Sequence, residues 1–152
     1  MVKMVPRMVV RPVGEGEFLY LRRALGRYRD QWWPVAGKVD GDEGPVAAAL
    51  RELHEETALV PRHLYAIDEP VPNGDPRYRL HGFFAWADAR APVRLNAEHS
   101  DHAWLDVDAV LAMLSPAIHP FIRAVADRFV RAEPPAALLR WSASDAAPFE
   151  RQ

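Results

Sequence analysis

The sequence contains no cysteine among its 152 residues, so disulfide bonds and thiolate metal sites are excluded, and a metal ion must bind oxygen or imidazole ligands. Its formal net charge of −2 gives no broad basic surface for a nucleic acid. It also lacks an apolar run long enough for a signal-peptide core or a membrane-spanning helix. We therefore expect a cytoplasmic protein that binds neither nucleic acid nor membrane.

The length fits one domain with one sizeable hydrophobic core. After residue 130 the composition shifts to alanine and proline, which predicts a domain over residues 1–130 and a partly disordered tail over residues 131–152. Leu138, Leu139 and Trp141 in this tail are apolar. Part of it is therefore expected to dock on the domain or on a second copy of the chain, which makes a homodimer a reasonable expectation.

Hydrophobic periodicity predicts strands that surround one central helix, with further helices after them. Residues 8–13 and 18–21 are predicted to form a hairpin with a glycine-containing turn, and residues 22–30 a loop. The other predicted elements are a short apolar piece at 32–35, a helix at 45–58, strands at 64–67, 79–86 and 103–105, and helices at 106–114 and 118–130. This order predicts an α+β protein, arranged as a mixed α/β/α sandwich.

The helix over residues 45–58 carries the strongest functional signal. At about 100° per residue, its apolar arc consists of Val46, Ala49, Leu50, Leu53 and Thr57. Glu52, Glu55 and Glu56 fall on a roughly opposite arc, at positions i, i+3 and i+4, so their oxygens can converge. Pro45 suits the first helical position, where no N–H group is needed.

A solvated acidic face is the alternative interpretation of these glutamates. Two physical costs argue against it: like charges at helical spacing repel one another, and carboxylates near a helix C-terminus face the unfavourable end of the helix dipole. A bound divalent cation would offset both costs, and carboxylate oxygens suit a hard cation such as Mg²⁺ or Mn²⁺. Arg51, four residues before Glu55, can orient that carboxylate.

Together with Gly37, Glu43 and Arg51, these glutamates form a pattern that resembles the Nudix box, G-x5-E-x7-R-E-U-x-E-E-x-G-U, in which U is a bulky aliphatic residue. Every defined position matches except one, where Ala58 replaces the glycine of the pattern. Alanine in a left-handed helix cap costs about 1 kcal/mol or redirects the chain. The order of the flanking elements extends the resemblance over roughly residues 8–130.

The resemblance implies the Nudix fold, in which a central mixed sheet carries the box helix on one side and C-terminal helices around it. It also implies Mg²⁺-dependent hydrolysis, with Mn²⁺ as the alternative ion, of a diphosphate linkage in a nucleoside triphosphate-like small molecule. The products would be a nucleotide and pyrophosphate or phosphate. Alternative substrates are nucleotide sugars and dinucleotide polyphosphates, and the alternative function is a non-catalytic ligand sensor. Nucleoside triphosphate and dihydroneopterin triphosphate pyrophosphohydrolases are the members that the sequence resembles most.

Residue roles follow from the same resemblance. The implied metal ligands are the backbone carbonyl of Ala36 and the carboxylates of Glu52, Glu55, Glu56 and Glu98. The implied catalytic residues are Glu52, Glu55, Glu98 and Arg51, and the structural box residues are Gly37 and Glu43. Glu98 is included because residues 98–105 resemble an E-H-x-x-x-x-W segment of some members. Its alternative interpretation is a surface charge on a loop, whereas His99 and His102 are interpreted as hydrogen-bonded structural histidines.

Substrate contacts are expected from residues close to the box in sequence. Arg22, Arg23 and Lys38 can contact phosphates, and their alternative interpretation is that they are solvated surface charges. Trp32 is expected to stack on a base. At least one residue of the Trp32–Trp33 pair is expected in the core, because tryptophan buries a large apolar surface.

Overall fold

The computed structural model describes residues 3–12, 17–66, 78–88, 91–113, 123 and 140–142. Its elements in chain order are β1 Lys3–Pro12, β2 Phe18–Arg23, β3 Trp32–Trp33, β4 Val35–Ala36, α1 Pro45–Thr57, β5 His63–Ala66, β6 Tyr78–Ala87, β7 His99–Leu105, α2 Val107–Met113 and β8 Arg140–Ser142. Within these residues no helix has the length and apolar character needed to cross a membrane. The predicted glycine-containing turn, Leu138 and Leu139, and all of the predicted helix at 118–130 except residue 123 lie outside the described residues.

Strand β1 organises the sheet because both of its edges are used. Along one edge it pairs with β6 in parallel, from Lys3 opposite Tyr78 to Pro12 opposite Ala87. β1 also forms two shorter antiparallel pairings, with β4 through Arg7 and Met8 and with β2 through Val10. This arrangement brings the end of β4, at Ala36, beside the strand on which helix α1 packs.

The sheet is mixed, as the sequence predicted. Its strand order is β3-β2-β1-β6-β5-β8, with β4 on β1 and β7 on β2. All described pairings except β1–β6 are antiparallel. Strand β8 pairs with β5, with Trp141 opposite Leu64, so residues 140–142 dock on the domain by extending the sheet.

The core lies between helix α1 and the sheet. Ala49, Leu50 and Leu53 of the helix are buried against strand residues such as Leu21 and Phe83. Thr57 is fully buried as well, whereas Val46 is only partly buried at the edge of this cluster. The predicted apolar arc of α1 therefore does face the core.

Several strands are longer than the sequence indicated: β2 continues to Arg23, into the predicted loop at 22–30, and two strands begin at least four residues early. β1 begins at Lys3 rather than residue 8, although Pro6 cannot donate a backbone hydrogen bond. Among the described residues Pro6 has one strand neighbour, β6, so a residue without an N–H group is tolerated there. β7 begins at His99 rather than residue 103 because its polar first half pairs with the equally extended end of β2.

Candidate functional site

Helix α1 begins and ends as its sequence dictates. Gly44 is the N-terminal cap residue in an extended conformation, and Pro45 follows it in the first turn. At the other end Ala58 has a φ of 61°, and its N–H group donates to the His54 carbonyl over 2.8 Å. Ala58 thus adopts the left-handed conformation for which glycine is better suited, and the helix still ends with a left-handed cap.

The three glutamates of α1 differ strongly in exposure. The Glu55 side chain is 52% exposed and the Glu52 side chain 12% exposed. Glu56 is almost completely buried, with 2% of its surface exposed. The sequence predicted that this arc of α1 lies opposite the core. In the structure Glu55 is exposed to solvent, whereas Glu56 is buried in the protein.

Arg51 ties the box together through its guanidinium group. Its Nη2 atom lies 2.6 Å from Glu43 Oε1 and donates to the Lys38 carbonyl over 2.8 Å. Its Nη1 atom donates to Glu52 Oε1 over 3.0 Å and to Glu55 Oε2 over 3.1 Å. The Arg51 guanidinium group therefore holds two of the predicted metal ligands, Glu52 and Glu55, and also the loop that precedes α1.

Glu43 closes that loop onto the helix. Its Oε1 atom accepts a hydrogen bond from the Asp40 backbone N–H over 2.8 Å, in addition to those from Arg51. The hydrogen bond from Arg51 is the main reason why the pKa of Glu43 is lowered. The geometry fits the structural role predicted for Glu43.

Gly37 sits against the Glu52 side chain. A Cβ atom at residue 37 would overlap the carboxyl group and the Cγ atom of Glu52. Glycine is required here because the backbone and a carboxylate approach each other closely, whereas no left-handed backbone conformation is involved.

The Glu56 carboxylate is buried without full hydrogen bonding. Its Oε2 atom has no hydrogen-bond partner among the described residues. Burial, followed by the charges of Glu52 and Glu98, raises the pKa of Glu56 to about 9, although a backbone hydrogen bond from Ala36 and the charge of Arg23 act in the opposite direction. Burial also raises the pKa of Glu52. Burial therefore favours the neutral form of the Glu56 carboxyl group, and a positive partner is needed to keep it ionised.

The segment before β7 brings Glu98 to the helix. The Glu98 backbone carbonyl accepts a hydrogen bond from the Ala24 N–H over 2.8 Å, and this bond anchors the segment to the end of β2. Asn96 fixes the turn, because its Oδ1 atom accepts from the Glu98 N–H over 3.2 Å and its Nδ2 atom donates to Glu98 Oε2 over 3.3 Å. The sequence-predicted Glu98 is thereby placed near Glu56, although they are distant in the chain.

Glu56, Glu98 and His99 form one potential ligand group. Each offers an atom within 4.8 Å of the atoms offered by the other two. His99 is 6% exposed, and burial, with the charge of Arg23, lowers its pKa. Carboxylate oxygens, an imidazole and an unpartnered buried oxygen fit a divalent cation.

His99 and Asn96 are the site residues that the sequence analysis did not assign to the chemistry. His99 was interpreted as a hydrogen-bonded structural histidine, and its Nδ1 atom does lie 3.3 Å from Asn96 Oδ1. The usable signal was the adjacency of His99 to Glu98, since His99 is the first residue of β7 and Glu98 directly precedes it. A β-bulge between Arg22 and Arg23 places His99 opposite Arg23.

The predicted substrate-binding residues lie in different surroundings. Arg22 forms an ion pair with Asp30 over 3.3 Å, and the Lys38 residue is exposed. Arg23 is close enough to Glu56 and His99 for its charge to lower the pKa of both. Trp32 is half-buried, whereas Trp33 is buried, so Trp33 is the tryptophan that belongs to the interior.

The sequence of this chain matches a known family over most of its length. Residues 4–128 match the NUDIX domain. The chain belongs to the NUDIX family. This confirms the family and the fold that the box pattern implied.

Similar proteins carry different names. An octanoyltransferase of Myxococcus xanthus is 38% identical over 90 residues, which cover 55% of this chain and 25% of that protein. An 8-oxo-(d)GTP phosphatase of Mycolicibacterium smegmatis is 37% identical over 105 residues, which cover 67% of this chain and 31% of that protein. The NUDIX chain matches only about a quarter to a third of the length of these two relatives.

A solved structure supports the fold assignment. The NUDIX domain of NrtR from Shewanella oneidensis, in complex with ADP ribose, superimposes with a TM-score of 0.70 at 22% identity. The superposition covers 84% of this chain and 88% of that domain. At this identity the likeness establishes the fold, and the activity has to be argued from the residues of the site.

Proposed function

We propose that this NUDIX chain hydrolyses a diphosphate linkage in a nucleoside triphosphate-like molecule, releasing a nucleotide and pyrophosphate or phosphate. The observation that carries the proposal is the Glu56 carboxylate, which is 2% exposed and has an unpartnered Oε2 atom. Such a group is costly to bury. A divalent cation would give it a partner and would also be attracted by Glu52 and Glu98, whose charges act on Glu56.

We assign the cation, Mg²⁺ or Mn²⁺, to Glu52, Glu55, Glu56, Glu98 and the Ala36 carbonyl. When bound, such a cation neutralises charge on diphosphate oxygens and lowers the pKa of a water molecule. Glu56 forms the buried side of this site, whereas Glu55 and Glu98 are exposed. The Ala36 backbone lies close enough to Glu56 to act on its pKa.

The remaining chemistry falls to side chains that the structure holds in place. Glu98 is exposed and its segment is anchored, so it is suited to take a proton from the attacking water. Glu52 and Glu55 are the other candidate bases, and Arg51 orients both of them. Hydrolysis at phosphorus depends mainly on such positioning and on charge neutralisation.

Of the residues predicted to bind substrate, Arg23 and Lys38 are assigned to the phosphates and Trp32 to the base, whereas Arg22 is engaged by Asp30. The 8-oxo-(d)GTP phosphatase of M. smegmatis favours the nucleoside triphosphate class, because its similarity covers 67% of this chain. Nucleotide sugars and dinucleotide polyphosphates contain the same linkage. They therefore belong in the same substrate panel.

The decisive experiment incubates the protein with nucleoside and deoxynucleoside triphosphates, nucleotide sugars and dinucleotide polyphosphates in Mg²⁺, and identifies the phosphorus products. Wild type is expected to release a nucleotide from at least one triphosphate. Glu56→Gln should lose at least about a hundredfold in kcat/KM, since one misplaced group in such a site has that effect. Glu17→Gln is the matched control, because Glu17 is exposed and outside the site.

Cation binding is measured separately as a rise in melting temperature. Wild type and Glu17→Gln should be stabilised by Mg²⁺ or Mn²⁺, and the double variant Glu52→Gln/Glu56→Gln should not. Equal stabilisation of that double variant would remove the glutamates from the cation site. Absence of turnover across the whole panel would exclude the hydrolase and leave a ligand sensor.

A further inference from the structure

We propose that His99 supplies an imidazole nitrogen to a cation held by Glu56 and Glu98, so that this position binds Mn²⁺ more tightly than Mg²⁺. The inference rests on the proposed function, because it concerns the identity of one more ligand in the same cation site. It changes the role assigned to His99 from a structural histidine to a ligand that selects the ion.

The geometry places the three donors around one point. Their ligand atoms all lie within 4.8 Å of one another. Two ligands on opposite sides of one cation are about 4.2 Å apart when each bond is about 2.1 Å long. The three donors are therefore spaced on the scale of a single coordination shell.

The hydrogen bonds of Asn96 determine which nitrogen of His99 is available. Asn96 Oδ1 accepts from the Glu98 N–H, and Asn96 Nδ2 donates to Glu98 Oε2, so the two amide atoms cannot exchange places without losing both bonds. The His99 Nδ1 atom, 3.3 Å from that oxygen, must therefore carry the proton. Its Nε2 atom is left with a lone pair for a metal ion.

This arrangement is typical of histidines that bind metals. A ligating imidazole usually donates its second N–H to an oxygen acceptor, which fixes the ring and its tautomer. His99 and Glu56 are both buried, and the Glu56 Oε2 atom lacks a partner. The burial and the orphaned oxygen are independent of the hydrogen bonds that fix the ring, and both belong to members of the same ligand group.

The donor type predicts the ion preference. Mg²⁺ binds oxygen ligands and gives up its water reluctantly, whereas imidazole suits first-row transition metals. A site with two carboxylates and one imidazole should therefore prefer Mn²⁺ to Mg²⁺. His99 should therefore increase the preference for Mn²⁺ beyond that of the carboxylates and the carbonyl alone.

The test measures cation affinity and metal–nitrogen coupling in metal-free protein titrated with MnCl₂ or MgCl₂. Calorimetry gives the two dissociation constants, and pulsed electron paramagnetic resonance detects ¹⁴N coupled to bound Mn²⁺. Wild type should bind Mn²⁺ more tightly and show the ¹⁴N signal. His99→Gln should lose the signal and about 10- to 100-fold in Mn²⁺ affinity, as other disrupted ligand shells do, with a smaller change for Mg²⁺.

His102→Gln is the matched control, since His102 lies in the same strand but is exposed, and it should behave like wild type. If His99→Gln fails to fold, Asn96→Ala provides the second variant, because it removes the acceptor that fixes the ring and should weaken Mn²⁺ binding selectively. A missing ¹⁴N signal in wild type, or its retention in His99→Gln, would overturn the inference while leaving the hydrolase intact. Absence of any cation binding to wild type would overturn both proposals.

Discussion

The carboxyl group of Glu52 occupies the space into which a side chain at Gly37 would project. The backbone after β4 and the first box glutamate of helix α1 are thus in direct contact. Arg51 holds the other side of this contact, with hydrogen bonds to the Glu52 carboxylate and to the Lys38 carbonyl. The Glu52 side chain therefore has little conformational freedom, and its position requires a glycine at residue 37.

Gly37→Ala is expected to displace Glu52 and to disable the site. Overpacking of this kind costs about 1–3 kcal/mol of stability, and a displacement of about 1 Å can cost a hundredfold in rate. Thermal unfolding with and without Mg²⁺ should show a lower melting temperature and little stabilisation by the cation. Gly44→Ala is the control, because no atom lies within 4 Å of a Cβ atom there, and it should keep the full response to Mg²⁺.

The Arg51–Glu43 contact predicts a stability that depends on pH. The hydrogen bond from Arg51 lowers the pKa of Glu43 below its ordinary value of 4.5, so the ionised form stabilises the folded state. This contribution is complete above the ordinary pKa and is lost as the pH falls through the lowered value. Glu43→Gln should therefore reduce the free energy of unfolding by about 1–3 kcal/mol near neutral pH.

Urea denaturation of wild type and Glu43→Gln over a range of pH tests this sign. The difference in free energy of unfolding between the two proteins should narrow as the pH falls below the ordinary pKa of Glu43, and it should be lost below the lowered pKa, where both side chains are neutral in the folded state as well. Glu17→Gln is the control, since Glu17 is exposed, and its difference from wild type should stay close to zero throughout. If the difference in free energy of unfolding between wild type and Glu43→Gln increases at acidic pH, the Arg51–Glu43 ion pair is not its cause.

Local periodicity was enough to predict helix α1, its apolar arc and the contact of Arg51 with Glu55. The burial of Glu56 was not predictable in the same way, because it depends on β4 and on the segment before β7, which are remote in sequence. His99 was interpreted as a structural histidine for a different reason, which is that Mg²⁺ prefers oxygen ligands. The early start of β1 was missed because Pro6 normally interrupts a strand, and only the pairing with β6 explains its tolerance.

The two neighbouring arginines of β2 are expected to differ in their effect on substrate binding. Arg22 is engaged by Asp30 over 3.3 Å, whereas the charge of Arg23 acts on Glu56 and His99. Arg23→Gln should raise KM by about 10- to 100-fold, the value of one charged hydrogen bond. Arg22→Gln is the matched comparison and should change KM by less than about threefold, since exposed ion pairs contribute little. Steady-state kinetics on the best substrate of the panel measures both, and equal effects would remove Arg23 from the phosphate site.

Ala58 offers a stabilising substitution, because its φ of 61° is unfavourable for any residue with a side chain. Glycine adopts this conformation at no steric cost, so Ala58→Gly should raise the free energy of unfolding by about 1 kcal/mol and the melting temperature by about 2–4 °C. The same replacement inside the helix, Ala47→Gly, is the control and should destabilise by about 0.5–1 kcal/mol, since glycine is more costly to order there. Opposite signs for the two variants would attribute the effect to backbone conformation alone. If Ala58→Gly is also destabilising, the left-handed cap is not the conformation that the folded protein adopts.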